Sequence, residues 1–380
     1  MHSPPRNESS RESSCILDFL RLHLVSLYQP AALEQVLSMH ADVATFFSKG
    51  VERLVDSDLP RGFRKKCRQR SFAELARQEL EACARHQFSV LLRDDSSWPT
   101  NLREIPLMPL LLFCRGALDP VLDQRAVAMV GSRYPTPHGL RQARRFARLF
   151  AERGVTVVSG LARGIDAASH EAALEAGGRT IGVLGSGLAR VYPRENRSLA
   201  DAVARQGALL SEFPCDAAPL RHHFPQRNRI LSALGLGLVV VEAGEKSGSL
   251  LTVDWALQQQ RPVFVVPGRP EDAEARGGLR LIQSGAQPVL DPEEVFEVLQ
   301  VLRAEGPIKS VSRAGDGLPS DPFIARLEEL FRERDYWHPD ALAERLEEDP
   351  GALLRKLLRL EAEGAVDRIL GGHYVLRKSP

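Results

Sequence analysis

Cysteine is sparse in this 380-residue chain: Cys15, Cys67, Cys83, Cys114 and Cys215 are an odd number, widely scattered, with no CxxC pair. That excludes a disulfide scaffold and the usual zinc modules, and fits a reducing cytoplasm. Aromatic residues are thin at 6%, so stacking platforms are few and any polynucleotide affinity must rest mostly on phosphate contacts. Charge of one sign is missing as well, since 50 Lys+Arg face 49 Asp+Glu for a net charge of +1. No whole-molecule field marks a nucleic-acid binder; such a function requires local clustering. No apolar run reaches the ~18 residues of a membrane span. The segment 1–14 lacks a signal-peptide core and reads as a disordered tail. What remains is an ordinary globular composition, 26% charged and 43% apolar, whose length predicts two or three domains.

Residues 15–85 carry helical spacing, with Leu17, Leu20, Leu24 and Leu27 in one stretch and Phe72, Leu75, Ala76, Leu80 and Cys83 in another. Between them RGFRKKCRQR, residues 61–70, holds six basic residues and no acid, a solvated loop and helix start or a contact for phosphates. Residues 86–114 are proline-punctuated and read as an extended connector packed on the next domain. Short apolar runs follow at 126–130, 155–158, 180–184, 207–211, 236–241 and 262–266. Most are β-rich and hydrophobic throughout, as strands buried on both faces of a parallel sheet are. Helical stretches alternate with them, and an open Rossmann-like α/β sheet over 115–304 is expected. Residues 305–320 are rich in Gly, Pro and Ser and read as a linker. The segment 321–380 shows three helical patterns (322–334, 339–348, 351–363) and a hairpin signal at Gly371-Gly372, which suggest a winged helix. It is acidic, 10 Lys+Arg against 13 Asp+Glu, although Arg355, Lys356 and Arg359 share a face of the third helix, opposite Leu354, Leu357 and Leu358. That charge favours a protein contact over duplex DNA.

Ligands of an open α/β sheet bind beyond the carboxyl ends of its strands. The residues there are Gly131-Ser132-Arg133, the SGLARG run 159–164, Gly185-Ser186-Gly187, the EAGEKSGS run 242–249 and Pro267-Gly268-Arg269. Glycine lets backbone amides approach an anion closely, and four of these loops also carry a cation. Helices that begin just after them add N-terminal amides for phosphate. A basic stretch, LRHHFPQRNRI (220–230), adds guanidinium groups, a ring and an amide, the mixture that a phosphate-and-base contact uses. Other chemistries fit poorly. Arg190 breaks GxGxxG, no Walker A is present, HExxH fails at Leu174, and GxSxG fails around Ser159 and Ser186. No constellation for acid–base or covalent catalysis stands out. No cofactor and no metal are expected, and the protein is read as a non-enzyme.

Gly131-Ser132-Arg133, SGLARGIDAASH (159–170), YPRENRSL (192–199), FPQRNRI (224–230), EKSGSLLT (245–252) and VFVVPG (263–268) together resemble the DNA-processing protein A family, DprA/Smf, in order and spacing across roughly residues 90–290. The flanks look like that family's sterile-alpha-motif-like helical domain, here 15–85, and its C-terminal winged helix. The resemblance implies a dimeric single-stranded DNA-binding protein of natural transformation and competence. Such a protein shields incoming strands and helps load the RecA recombinase in DNA recombination. Carried over by motif, the DNA site comprises Ser132, Arg133, Arg163, Arg227, Asn228, Arg229, Lys246, Ser247, Gly248 and Ser249. Two segments depart from the family: Ser186 stands in its GCGL motif, and Ala275 and Leu279 replace a Ser and an Asn. The alternative reading is a nucleotide-hydrolysing enzyme of the phosphoribohydrolase type, but AGEKSGSLLT (243–252) lacks the glutamate of that loop.

Overall fold

Ala126–Val130 shows why an unbroken apolar run becomes a central strand. Ala126, Ala128 and Val130 pack into one hydrophobic core while Val127 and Met129 pack into another, and all five are buried. A strand covered on both faces has no reason to alternate apolar with polar residues. In this computed structural model the described residues are 8–39 except 28, positions 43, 46 and 47, 59–299 except 96 and 104, and a set of positions between 323 and 376. The chain divides into two compact units, Met1–Gly306 and Pro307–Pro380.

The first unit is built on a nine-stranded sheet: β1 Ser89–Leu92, β2 Leu111–Gly116, β3 Ala126–Val130, β4 Thr156–Ser159, β5 Thr180–Leu184, β6 Ala208–Ser211, β7 Leu238–Val240, β8 Val263–Val265 and β9 Gln287–Pro288. Their order is β1-β2-β6-β5-β4-β3-β7-β8-β9. All neighbours from β6 to β9 are parallel, whereas β1 with β2 and β2 with β6 are antiparallel. Six strands fall where the apolar runs place them. Residues 86–114 are a different matter: they supply the two antiparallel strands β1 and β2 that extend the sheet. The chain winds from β3 outward to β6, then returns across the sheet to β7 on the other side of β3. The gap between β3 and β7 is therefore the topological switch point, where a crevice opens at the carboxyl edge.

Helices cover both faces. Pro137–Glu152 and Ile165–Glu175 pack on one, through Phe146, Phe150, Ile165 and Ala172. His223–Leu234 and Leu250–Gln258 pack on the other, through Ile230, Leu231, Val253 and Ala256.

The N-terminal helices α1 (Glu8–Ser26), α2 (Pro30–Met39), α3 (Arg61–Arg68) and α4 (Arg70–His86) share a core with the sheet. Phe19, Leu20, Phe63 and Cys83 join Leu111, Phe113, Leu184 and Leu209 in one apolar cluster. Polar contacts reinforce the junction. The His23 ring donates from Nε2 to the Glu212 carbonyl at 2.7 Å, Gln226 Nε2 donates to the Leu27 carbonyl at 2.9 Å, and the Cys83 and Cys215 sulfurs lie 3.3 Å apart. Helix α1 begins at Glu8, so residues 8–14 are helical rather than part of a tail; residues 1–7 lie outside the described residues.

The second unit has its own core, formed by Leu327, Phe331, Leu342, Leu346, Leu353, Leu357, Val366 and Tyr374 among others. A helix, Pro339–Leu346, and an antiparallel pair, Val366–Arg368 with Tyr374–Leu376, are described there. The buried stripe of the segment 351–363 runs through Leu353, Leu357 and Leu360. Leu354, Leu358, Arg355 and Arg359 lie outside the residues whose side chains are described, as does the whole of 305–320. Lys356 is exposed and paired with Glu348 at 2.6 Å.

Candidate nucleic-acid interface

A cleft of about 1030 Å³ opens at the switch point. One wall is the turn after β3, residues 130–134; another is the loop after β7, residues 244–249; the helix His223–Leu234 supplies a third. Ser132, Arg133, Arg227, Asn228, Lys246, Ser247, Gly248 and Ser249 all line it. Segments separated by more than a hundred residues thus meet because their strands are neighbours in the sheet.

The turn after β3 is fixed by its neighbours. Ser132 N donates to the Glu242 carbonyl at 2.6 Å, and the Ser132 carbonyl accepts from Ile165 N at 3.1 Å. The Ser132 hydroxyl donates to Glu274 Oε2 at 3.0 Å and accepts from Tyr134 N at 3.1 Å. Glu242, just after β7, holds the start of the helix Pro137–Glu152, taking hydrogen bonds from Thr136 N at 2.8 Å and Thr136 Oγ1 at 2.7 Å. Arg133 is left exposed. Its guanidinium carbon sits 5.7 Å from the centroid of the half-buried Phe224 ring.

The floor holds two buried groups of opposite charge, Arg227 and Asp166, each hydrogen-bonded to the backbone. Arg227 is 5% exposed, and its Nη1 donates to the carbonyls of Gly160, at 2.9 Å, and Val183. Asp166, also buried, accepts from Gly160 N at 3.1 Å. Burial pushes the Asp166 carboxyl above the usual carboxylate range, against the pull of Arg227 and the backbone amides. Burial also lowers Arg227 to about 10, a value at which it stays charged at neutral pH. Gly160 is required here, because a Cβ would lie 2.7 Å from both the Arg227 guanidinium nitrogens and Asp166 Oδ2. The next residue, Leu161, is buried with φ 56, and Asn196 Nδ2 holds its carbonyl at 2.9 Å.

The loop after β7 offers an open face. Lys246 is exposed, and among the described residues neither Lys246 nor Arg133 has a carboxylate partner. The Lys246 and Gly248 amides have no acceptor among the described residues, and a Cβ at Gly248 would meet nothing within 4 Å. Arg221 and Arg276, both exposed, also line the cleft without a partner among the described residues. Four cations unpaired among the described residues, with amides that have no described acceptor, give one crevice the charge and donors that suit a polyanion. The acids there are engaged: Asp166 faces Arg227, Glu245 pairs with Arg280 at 2.8 Å, and Glu274 accepts from Ser132.

Two predicted residues stand apart from this cleft. Arg229 is 3% exposed, with Nη1 on Glu212 Oε2 at 2.8 Å and Nε on the Leu107 carbonyl at 2.9 Å. Its charge is spent inside the protein, so its placement among the DNA contacts is corrected to a structural ion pair. Arg163 is exposed but chelated by Glu195, with Nη2 on Oε2 at 2.8 Å, and lines a smaller adjoining pocket of about 90 Å³. That pocket gathers three rings, Tyr134, Tyr192 and Phe224, beside Arg133. Tyr134 and Tyr192 were not among the expected site residues. Tyr134 is 74% and Tyr192 46% exposed, and the Tyr192 and Phe224 ring centroids are 5.9 Å apart. A chain poor in aromatic residues has collected three at the mouth of its cleft, each able to face a base.

A doubly wound, mostly parallel sheet with a cationic, glycine-lined crevice at its switch point defines an α/β protein of Rossmann type. A sequence model of the family described as DNA recombination-mediator protein A matches residues 89–300, more than half of the chain. Protein Smf of Escherichia coli is 39% identical over 293 residues, covering 75% of this chain and 77% of that one. The chain spans 60% of the length of the Synechocystis protein Smf, to which it is 40% identical over 242 residues. The X-ray structure of DNA processing protein A from Streptococcus pneumoniae superposes with a TM-score of 0.64 at 31% identity, over 74% of this chain and 97% of that one. The solved structure of DNA processing protein A from Helicobacter pylori, described for its single-stranded DNA binding mode, superposes with a TM-score of 0.51 at 31% identity, over 56% of this chain and 96% of that one. The chain belongs to the DprA/Smf family of DNA-processing proteins. No described helix is long and apolar enough to cross a membrane.

Proposed function

We propose that the cleft holds the sugar–phosphate backbone of single-stranded DNA, with Arg133 and Lys246 gripping successive phosphates from opposite sides of the switch point. The observation that carries this reading is that these two cations are exposed, line one cleft and have no carboxylate partner among the described residues. The free Lys246 and Gly248 amides complete the phosphate coordination, while Phe224, Tyr134 and Tyr192 receive bases at the mouth. Binding by phosphate contact is largely indifferent to sequence and weakens steeply with salt. A duplex binds less well, because its paired bases cannot turn toward the rings. The single-stranded DNA reported for the Helicobacter pylori relative supports the same ligand class.

On the family relationship we further infer a cytoplasmic homodimer that protects incoming strands during natural transformation, loads RecA onto them and performs no catalysis. The C-terminal unit, with its own core and an antiparallel strand pair, is read as a winged helix that contacts protein. The direct test replaces Arg133 and Lys246 by Ala and titrates labelled oligonucleotide; about a hundredfold weaker binding is expected from losing two charge-assisted contacts. Unchanged affinity with the fold intact overturns the placement. Release of free base from nucleoside monophosphates would instead establish the enzyme reading.

A further inference from the structure

Helix α3 presents a second cationic surface, away from the residues of the cleft. Phe63 and Cys67 are fully buried and fasten one side of the helix to the core, and Arg21 Nη2 donates to the Cys67 carbonyl at 2.7 Å. At 100° per residue, Arg61, Lys65 and Arg68 fall together on the opposite side, and all three are exposed. Arg70, the first residue of α4 and two positions past Arg68, is exposed as well. None of these four has an ion-pair or hydrogen-bond partner among the described residues. From Arg61 to Ala73 the chain carries no acidic residue. Four cations without a partner among the described residues repel one another on a short surface, and no described contact rewards grouping them.

We propose that the Arg61–Lys65–Arg68 face, continued by Arg70, is a second contact for the backbone of single-stranded nucleic acid. It takes up the part of a strand that extends beyond the switch-point cleft. The inference rests on the reading of that cleft as a polynucleotide site. Position supports it: α4, which leads directly from the basic row, touches the segment that enters the cleft helix. Glu79 Oε1 accepts from Cys215 N at 2.5 Å, and Cys83 meets Cys215 thirteen residues along α4 from Arg70, about 20 Å at the helical rise. Chemistry selects the ligand. Among the described residues of α3 the face has cations but no exposed ring or aliphatic anchor, unlike the core of a protein interface. Its two apolar residues are buried inward, so none is left to enter a lipid surface.

The test uses the full chain and thymidine oligomers of two lengths, one just filling the cleft and one several times longer. The variant Arg61→Glu/Lys65→Glu/Arg68→Glu changes only exposed side chains, and Arg61→Gln/Lys65→Gln/Arg68→Gln serves as the milder control. Expected are unchanged affinity for the short oligomer, at least about tenfold weaker binding of the long one, and a salt dependence shallower by about 2 in log–log slope, the share of three phosphates on a single strand. Equal affinity and slope for the long oligomer overturn the proposal, as does an equal loss at both lengths. Loss of binding to anionic vesicles or to an acidic peptide, with DNA binding intact, overturns it in favour of those partners. Failure of the cleft reading is separately visible: the Arg133→Ala/Lys246→Ala variant then keeps its affinity for the short oligomer.

Discussion

The Arg133 guanidinium lies over the Phe224 ring at 5.7 Å, joining the turn after β3 to the first turn of the cleft helix. At an exposed site such a contact contributes about 0.5–1 kcal/mol. Its larger consequence is orientation, because the charge is held at the cleft mouth before any phosphate arrives. Phe224→Ala therefore removes both a stacking face and the support of Arg133. Fluorescence-anisotropy titration of labelled single strands is expected to show at least about tenfold weaker binding, in line with about 1–3 kcal/mol per stacked base. Phe224→Trp keeps most of the affinity, and equal losses for both variants contradict the stacking role.

Arg227 lines the same cleft yet answers first to the fold. Replacing it by Ala strips the buried Gly160 and Val183 carbonyls of their donor and removes the positive charge that acts on buried Asp166, at a cost of about 1–3 kcal/mol for each stranded group. Urea denaturation measures that loss directly. Adding Asp166→Ala to Arg227→Ala should recover part of it, since the stranded charge is then gone. A double variant no more stable than the single one argues against electrostatic coupling between the two groups.

Arg229 separates structure from binding. Arg229→Ala strands Glu212, which is also buried, and lowers the urea midpoint. At a temperature where the variant remains folded, its affinity for single strands matches the wild type. A selective loss of DNA binding with unchanged stability would return Arg229 to the interface.

Acid sensitivity has a clear source in His170. Burial lowers this imidazole to about 3, with Arg227 adding to the effect, and Nδ1 meets Thr180 Oγ1 at 2.7 Å. The unfolded chain takes up a proton near pH 6.5 that the native state refuses until about 3. Stability from this group is thus complete above pH 6.5 and declines as pH falls toward 3, by at most about 1.4 kcal/mol per pH unit. Asp166 works in the opposite direction, because its raised native value makes protonation on the acid side favourable to the fold. Urea midpoints at pH 7 and pH 5 should fall less in His170→Gln than in the wild type; identical slopes count against His170 as the source.

Most of the parallel sheet was legible because buried strands advertise themselves as continuous apolar runs. β1 and β2 escaped because they lie in a proline-punctuated stretch, and their pairing depends on β6, far along the chain. The glycine-and-cation rim was equally legible, since each loop carries its own signal. Arg229 looked like its neighbours Arg227 and Asn228; only the approach of Glu212, on the preceding strand connection, commits it to an ion pair. Tyr134 and Tyr192 are exposed residues 58 positions apart in sequence, and nothing local shows that they converge on Phe224. In 351–363 the expected apolar face named Leu357, which is buried; Leu354 and Leu358 lie outside the described residues, and Leu353 and Leu360, also buried, were legible only as members of a leucine-rich stretch.

The family match begins at residue 89, but the folding boundary lies elsewhere. Leu111, Phe113, Leu184 and Leu209 are roofed by side chains from α1, α3 and α4. A recombinant fragment starting at Ser89 would uncover that apolar underside and release the Glu212 carbonyl from His23. Insoluble expression is the expected fate of such a truncation, and any shortened version meant for crystallisation or binding work has to keep the helices that precede the sheet.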